Sequence, residues 1–258
     1  MKEKVLIVHH NSKQLALKIA DILKTIGVKY FILRREDLLY RCCKGNSLIV
    51  VVGGDGTLLR TSHFVLDKTP VLGVNPNPQL KEGFFMCANP SNLKNKIKEF
   101  FNKESKIVPL TRLEVSIDGK LVKEPAINEV YIGKEKSYHM SRYTIFNEKQ
   151  KSSGIIISTA AGSHAWAASA GGKKLPLYSD RFQVVIREPY SGRLNVPKIT
   201  NKILEPGEIV TVKSETNNVV VIDSTSKEYA LSKGSTACIS TSSKKLYLVI
   251  DECYHDTA

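Results

Sequence analysis

Apolar positions in the first hundred residues fall alternately into unbroken short runs and into helical spacing. Residues 5–9 (VLIVH) form an apolar run that predicts a strand. Ser12 then stands where a helix N-cap belongs, and Leu15, Ile19, Ile22, Leu23 and Ile26 recur at helical spacing until Gly27. A second strand is predicted at 30–33. A third, at 48–52 (LIVVV), is apolar at every position, as a parallel strand buried on both faces must be. It runs into Gly53-Gly54-Asp55-Gly56-Thr57, after which helical spacing resumes at Leu58. A fourth strand at 70–74 and a charged helix over about 92–101, opened by Pro90-Ser91, complete this half. Strands alternating with helices predict an α/β domain with a mostly parallel sheet.

After Pro109 the period changes. Residues 113–117 (LEVSI) alternate strictly, and Asp118-Gly119 is a hairpin turn signal. Further strands are predicted at 126–132, 143–146, 154–158, 182–186, 209–213, 219–222 and 245–250, with a short helical insert near 163–171. The second half therefore reads as a mostly antiparallel, all-β C-terminal domain. The predicted boundaries are 1–105 for the α/β domain and 106–239 for the β-rich domain, with 240–258 returning as a strand of the first.

Composition narrows the class. Hydrophobic residues make up 42% and charged residues 24% of 258, which suits a packed core and excludes disorder, collagen-like repeats and coiled coil. No apolar run reaches the roughly 18–20 residues of a membrane span, and MKEKVLIVHHNSKQ lacks a small-residue cleavage site, so the expectation is a cytoplasmic protein that does not engage a membrane. Five cysteines without CxxC spacing fit neither a disulfide framework nor a paired-ligand zinc site, and Cys253 with His255 is a weak metal pair. A net charge of +13 calls for an anionic partner. With no RNP motif, helix-turn-helix pattern or Arg-rich arm, phosphorylated small molecules are favoured over nucleic acid.

Three segments could carry chemistry. The GGDGT turn ends a buried strand, where open α/β sheets bind ligands. Its glycines let backbone N–H groups approach phosphate oxygens, with a helix N-terminus behind them. Asp55 within it can take a proton from a hydroxyl or contact a metal; the alternative is that it merely caps the following helix. There is no GxxxxGK[ST], and Leu59 stands where a dinucleotide fingerprint needs a third glycine. The second segment is Ser158-Thr159-Ala160-Ala161-Gly162-Ser163-His164-Ala165-Trp166, ending in Ser169-Ala170-Gly171-Gly172. Its small residues admit a flat ring or a phosphate, although Ser163 is also simply a good N-cap. The third is Asn128-Glu129, a polar pair inside an apolar strand, of which at least one must find a partner.

In order and spacing, these three motifs resemble the NAD kinase family over about residues 46–225. Ser152-Ser153-Gly154, STAAGS, SAGG and Arg187-Glu188-Pro189 are most similar to its NADH-preferring branch. The resemblance implies transfer of the γ-phosphoryl of ATP, or in some members polyphosphate, to the adenosine-ribose 2′-hydroxyl of NAD⁺ or NADH. It also implies Mg²⁺ held through the nucleotide phosphates with no protein metal site, and a homodimer or homotetramer. Carried over by position, Asp55 is the catalytic group at the 2′-hydroxyl. Gly53, Gly54, Gly56 and Thr57 lie against phosphates, and Gly83 and Phe84 pack on substrate. Asn128 and Glu129 hold ribose or adenine, and Ser158, His164, Ala165 and Ser169 line the dinucleotide pocket.

This chain departs from the common bacterial pattern. Ala160-Ala161, His164 and Trp166 replace Pro-Thr, Thr and Tyr, and Ser153 replaces an Asp beside the nicotinamide. Losing that negative charge implies a preference for the neutral reduced ring. The alternative class is another GGDGT-type kinase with a lipid or sugar-phosphate acceptor, which the Asn-Glu pair and the Gly-Ser loop argue against.

Overall fold

The computed structural model describes residues 3–136, 138–193 and 196–251; the Cys253–His255 pair lies outside them. The chain divides into two units, one of 3–110 with 245–251 and the other of 111–244.

The first unit opens with β1 (Lys4–His9), α1 (Lys13–Thr25) and β2 (Lys29–Arg34), then α2 (Tyr40–Cys43), β3 (Leu48–Val52) and α3 (Asp55–Ser62). β4 (Val71–Val74) and α4 (Leu93–Phe101) follow. Four parallel strands run in the order β2-β1-β3-β4. Every residue of β3 and β4 is buried, which is why the sequence shows no alternation there. Ala16, Ile19, Ala20 and Leu23 of α1 and Leu93 and Ile97 of α4 pack in one core with Val5, Ile7, Val50 and Leu72 of the strands. The reversal of strand order falls between β1 and β3, and the Gly-rich turn leaves the carboxyl end of β3 beside it.

The second unit is antiparallel. β5 (Lys106–Ile117) enters it and turns through Asp118 and Gly119, both with positive φ, into β6 (Lys120–Leu121). Then come β7 (Glu129–Gly133), β8 (Ser141–Ile145), β9 (Glu148–Ser152), β10 (Gly154–Thr159), α5 (Trp166–Ser169) and β11 (Phe182–Arg187). β12 (Asn201–Leu204), β13 (Val210–Ser214), β14 (Asn218–Ile222), β15 (Glu228–Leu231) and β16 (Thr236–Ile250) complete it. One sheet has the order β12-β11-β10-β7-β14-β15. The facing layer includes β13, β8, β9 and the start of β16. Val130, Ile132, Ile157, Val184 and Val220 of the first layer meet Tyr143, Ile145, Val212 and Ile239 of the second in a single core. β16 serves twice: Thr236–Ile239 pair with β13, and Leu248 pairs in parallel with Val71 of β4.

Several elements differ from the sequence expectation. β7 begins at Glu129 rather than at 126, because the N–H groups of residues 127–129 bond to a side chain instead of a neighbouring strand. The insert near 163–171 is a 3₁₀ turn (Gly162–His164) followed by the single turn of α5. Ser12 does occupy the N-cap of α1, but its hydroxyl donates to the His10 carbonyl rather than to the helix.

Candidate active site

In the first unit, the site is built around the turn after β3. The Gly53 N–H donates to the Val74 carbonyl, so the turn stays pinned to the sheet, and α3 starts at Asp55 with Gly54 as its N-cap. Asp55 does not cap the helix. Its carboxylate instead accepts two backbone N–H groups, from Phe84 at Oδ2 (3.0 Å) and Phe85 at Oδ1 (2.9 Å). That bracket brings Gly83 and Phe84 to the Gly-rich turn. Gly83 takes φ +70°, and a Cβ there would stand 2.8 Å from Asn75 Nδ2. Asn75 in turn donates to the Lys81 carbonyl and accepts from the Asn77 N–H, which fixes the loop. Thr57 is buried behind the turn, whereas Gly56 is exposed with open space where a side chain would be. A Cβ on Gly54 would touch the Lys81 side chain at 3.5 Å. Lys81 is thus a cation beside the turn that motif reasoning passed over, because it lies 27 residues away in an unremarkable loop.

In the second unit, the site forms where β7, β10 and β14 meet. Glu129 is paired with Ser158 across the sheet, and the Thr159 N–H donates to the Asn128 carbonyl at 3.0 Å. The loop after β10 closes tightly on this pair. Thr159 Oγ1 donates to the Ile127 carbonyl and accepts the Gly162 N–H at 3.0 Å. Gly162 lies so close that a Cβ there would sit 1.9 Å from the Asn128 carbonyl oxygen. Only glycine permits that approach. Ser163 is not an N-cap: its hydroxyl donates to the Ala160 carbonyl (2.6 Å) and accepts the Leu175 N–H (2.8 Å), joining both ends of the loop. His164 Nε2 donates to the Leu175 carbonyl (2.9 Å), Ala165 is half-buried ahead of α5, and Ser169 is exposed at its end.

The side chains of Asn128 and Glu129 are buried, yet Asn128 Oδ1 and Glu129 Oε2 have no hydrogen-bond partner. Buried polar oxygens are almost always satisfied, so these two neighbours keep unused hydrogen-bonding capacity. Glu129 Oε1 is engaged by the Ser224 hydroxyl at 2.9 Å. Burial first, and then the neighbouring Asp223 carboxylate, push the Glu129 carboxyl up to about 7, against the pull of Ser224. Ser224 and Asp223 follow β14 and escaped sequence reasoning; their one signal is a lone Asp-Ser ending the apolar run VVVI.

This raised carboxyl has a consequence for stability. The folded chain keeps a proton on Glu129 that the unfolded chain releases near the ordinary value of 4.5. Between there and about 7 the folded state binds more protons, so stability falls with rising pH and the full deficit is present above that window. Glu129→Gln removes the deficit. The variant is expected to exceed the parent by roughly 2–4 kcal/mol at pH 8, the gap closing below pH 4.5. Thermal melts across that range measure it, and equal stability at pH 8 would refute the buried charge.

Ser153 stands apart from these groups. It precedes β10 while Ser158 lies near its far end, roughly 17 Å away at strand rise. Its surroundings are aromatic and charged. The Tyr131 hydroxyl donates to the Ser153 carbonyl (2.7 Å), Trp166 stacks on Tyr131 with centroids 5.1 Å apart, and the Arg187 guanidinium lies over Trp166 at 5.4 Å. Glu188, at φ +46°, hydrogen-bonds the Ser153 side chain, which holds its carboxyl below the usual range.

Known proteins share the sequence pattern and the fold of this chain. The model of the ATP-NAD kinase N-terminal domain matches residues 8–105, and that of the ATP-NAD kinase C-terminal domain matches residues 102–250. A probable NADH kinase from Oryza sativa is 27% identical over 231 residues, covering 80% of this chain and 71% of its own. An NAD kinase from Thermoplasma acidophilum is 30% identical over 200 residues, covering 76% and 70%. Among solved structures, an NAD kinase from Archaeoglobus fulgidus in complex with ATP superposes with a TM-score of 0.81 at 21% identity, covering 98% of this chain and 95% of that one.

Proposed function

This chain belongs to the ATP-NAD kinase family, and on that premise we propose that it moves the γ-phosphoryl group of ATP to the adenosine-ribose 2′-hydroxyl of NAD⁺ or NADH. The observation that carries the reading is the Asp55 bracket: a carboxylate fixed by two N–H bonds, next to an open glycine, at the carboxyl end of a buried parallel strand. Each of its oxygens keeps a second lone pair for a hydroxyl proton. In the step proposed, the 2′-oxygen bonds to the γ-phosphorus, the bond to the bridging oxygen of ADP breaks, and the hydroxyl proton passes to Asp55. Charge develops on phosphate oxygens, so positioning and neutralisation supply most of the rate. Lys81, whose side chain lies beside Gly54, and the N-terminus of α3 are the positive groups next to that turn. Asn128 Oδ1 and, with the carboxyl ionised, Glu129 Oε2 accept hydrogen bonds from the dinucleotide, and the loop at 158–169 encloses it.

The turn's donor set suits a divalent ion carried by the nucleotide phosphates. Asp55 is its one carboxylate, which leaves most of the ligands of such an ion to phosphate oxygens and water. Bound in that way, Mg²⁺ would offset phosphate charge. The homodimer or homotetramer belongs to this proposal and is read by light scattering. No helix among the described residues is long and apolar enough to cross a membrane.

The test is an end-point assay with ATP and Mg²⁺, supplying NAD⁺ or NADH separately and detecting the phosphorylated product. Product from neither, with folded protein, would redirect the search to lipid or sugar-phosphate acceptors. Ser153→Asp refines it. A second carboxylate beside Glu188 favours the cationic oxidised ring, and the ratio of kcat/KM for NADH over NAD⁺ is expected to fall several-fold. An unchanged ratio sinks the charge argument.

A further inference from the structure

Three consecutive backbone N–H groups converge on one carboxylate just where Asn128 and Glu129 present their orphan oxygens. Asp223 Oδ1 accepts from Asn128 (2.7 Å) and Glu129 (3.2 Å), and Oδ2 accepts from Ile127 (3.0 Å). Asp223 returns its own N–H to the Glu129 carbonyl at 2.9 Å. In an extended strand, successive N–H groups point to opposite sides. Their convergence therefore curls the chain at 127–129, and the direction of that curl sets where both side chains aim. Asp223 and Ser224 take φ +50° and +51°, an uncommon pairing that turns the chain after β14 back onto the start of β7. The fully buried guanidinium of Arg112 on β5 supplies the opposite charge. Burial pulls it down to about 10, and Asp223 pulls it the other way. Gly162 presses on the same Asn128 backbone through its carbonyl.

We propose that Asp223 is a positioning residue for dinucleotide binding: it curls residues 127–129 so that Asn128 Oδ1 and Glu129 Oε2 are held as fixed acceptors, with Arg112 as its counter-charge. This rests on the reading that those two oxygens bind the dinucleotide. In Asp223→Asn one oxygen is replaced by an NH₂ that faces an N–H donor, so the curl loses at least one of its three bonds.

The experiment uses the full chain and measures KM for the dinucleotide and for ATP, kcat, and the Kd of NADH by its fluorescence. Asp223→Asn is expected to raise the dinucleotide KM and the NADH Kd by about 10–100-fold, the size of one lost hydrogen bond to a charged or buried acceptor. The ATP KM should stay in place. A merely structural role would lower the amount of active protein, and so kcat, without moving KM. Because a lone Asn leaves Arg112 buried without its counter-charge, Arg112→Met/Asp223→Asn is measured as well; it removes both charges and preserves folding. Introduced into an Asn128→Ala/Glu129→Ala background, Asp223→Asn should add nothing further to KM, because it acts through those two residues. If the two Ala changes leave binding unaltered, the reading of the pair fails and this inference with it. If they weaken binding while the folded Arg112→Met/Asp223→Asn chain binds NADH normally, only the positioning role is overturned.

Discussion

Asp55→Asn is expected to lower kcat by about 10²–10⁴-fold, the usual contribution of a proton acceptor held at the reacting hydroxyl. Two effects combine in this variant. The amide cannot take the proton as the new bond forms. It also turns an NH₂ toward one of the two N–H donors, so either Phe84 or Phe85 loses its acceptor. The second effect costs about 1–3 kcal/mol of stability, because a part-buried donor loses its charged acceptor. Steady-state kinetics beside a thermal melt separate the two: the lost acceptor appears in the melt, the lost base only in kcat. A variant that melts lower yet turns over within an order of magnitude of the parent would reduce Asp55 to a bracket for the Gly83–Phe85 loop.

Gly162→Ala carries the second large effect. A methyl group 1.9 Å from the Asn128 carbonyl oxygen and 2.6 Å from the Asn128 Cα cannot be absorbed by a side-chain rotation, since both atoms are backbone. Either the loop after β10 lifts or β7 shifts. Forced repacking of this kind costs about 1–3 kcal/mol, and more where backbone must move. The loop is tied at Thr159 and Ser163, so the displacement reaches Asn128 and the loop together. The dinucleotide KM should therefore rise by about 10²-fold, and the melting temperature should drop. Unchanged melting with unchanged KM would refute the close approach of Gly162 to Asn128.

The parallel half of the fold was legible because its strands are buried on both faces, and unbroken apolar runs such as LIVVV have no other simple explanation. β9 was not legible. Its sequence EKQKS contains no apolar residue, and its buried positions are Gln150 and Ser152, held by Ile199 and Tyr143. Its hairpin turns through Phe146 and Asn147 at positive φ, without a glycine to announce it. The candidate site divides along the same line. Gly53, Gly54, Gly56 and Asp55 stand out because so much glycine beside a carboxylate is rare. Asp223 and Arg112 do not, because their roles arise only when β5, β7 and β14 come together. Ser163 misled for a related reason: an N-cap and a loop tie look alike until the partner, Leu175, is in place.

The double service of β16 bears on how the chain is made. Its end, at Leu248, pairs with Val71 of β4, yet residues 111–244 are synthesised between the first unit's two pieces. At about 5–20 residues per second, these 134 residues delay that strand by roughly 7–27 s. Throughout this interval the first unit has its β2-β1-β3-β4 sheet but not its closing strand, and the outer edge of an entirely apolar β4 is open at Val71. Such an edge is a template for pairing with another nascent chain. The newborn protein is therefore open to edge-to-edge pairing from the middle of translation until the end of β16 emerges, and a chain cut before residue 245 would keep that hazard permanently.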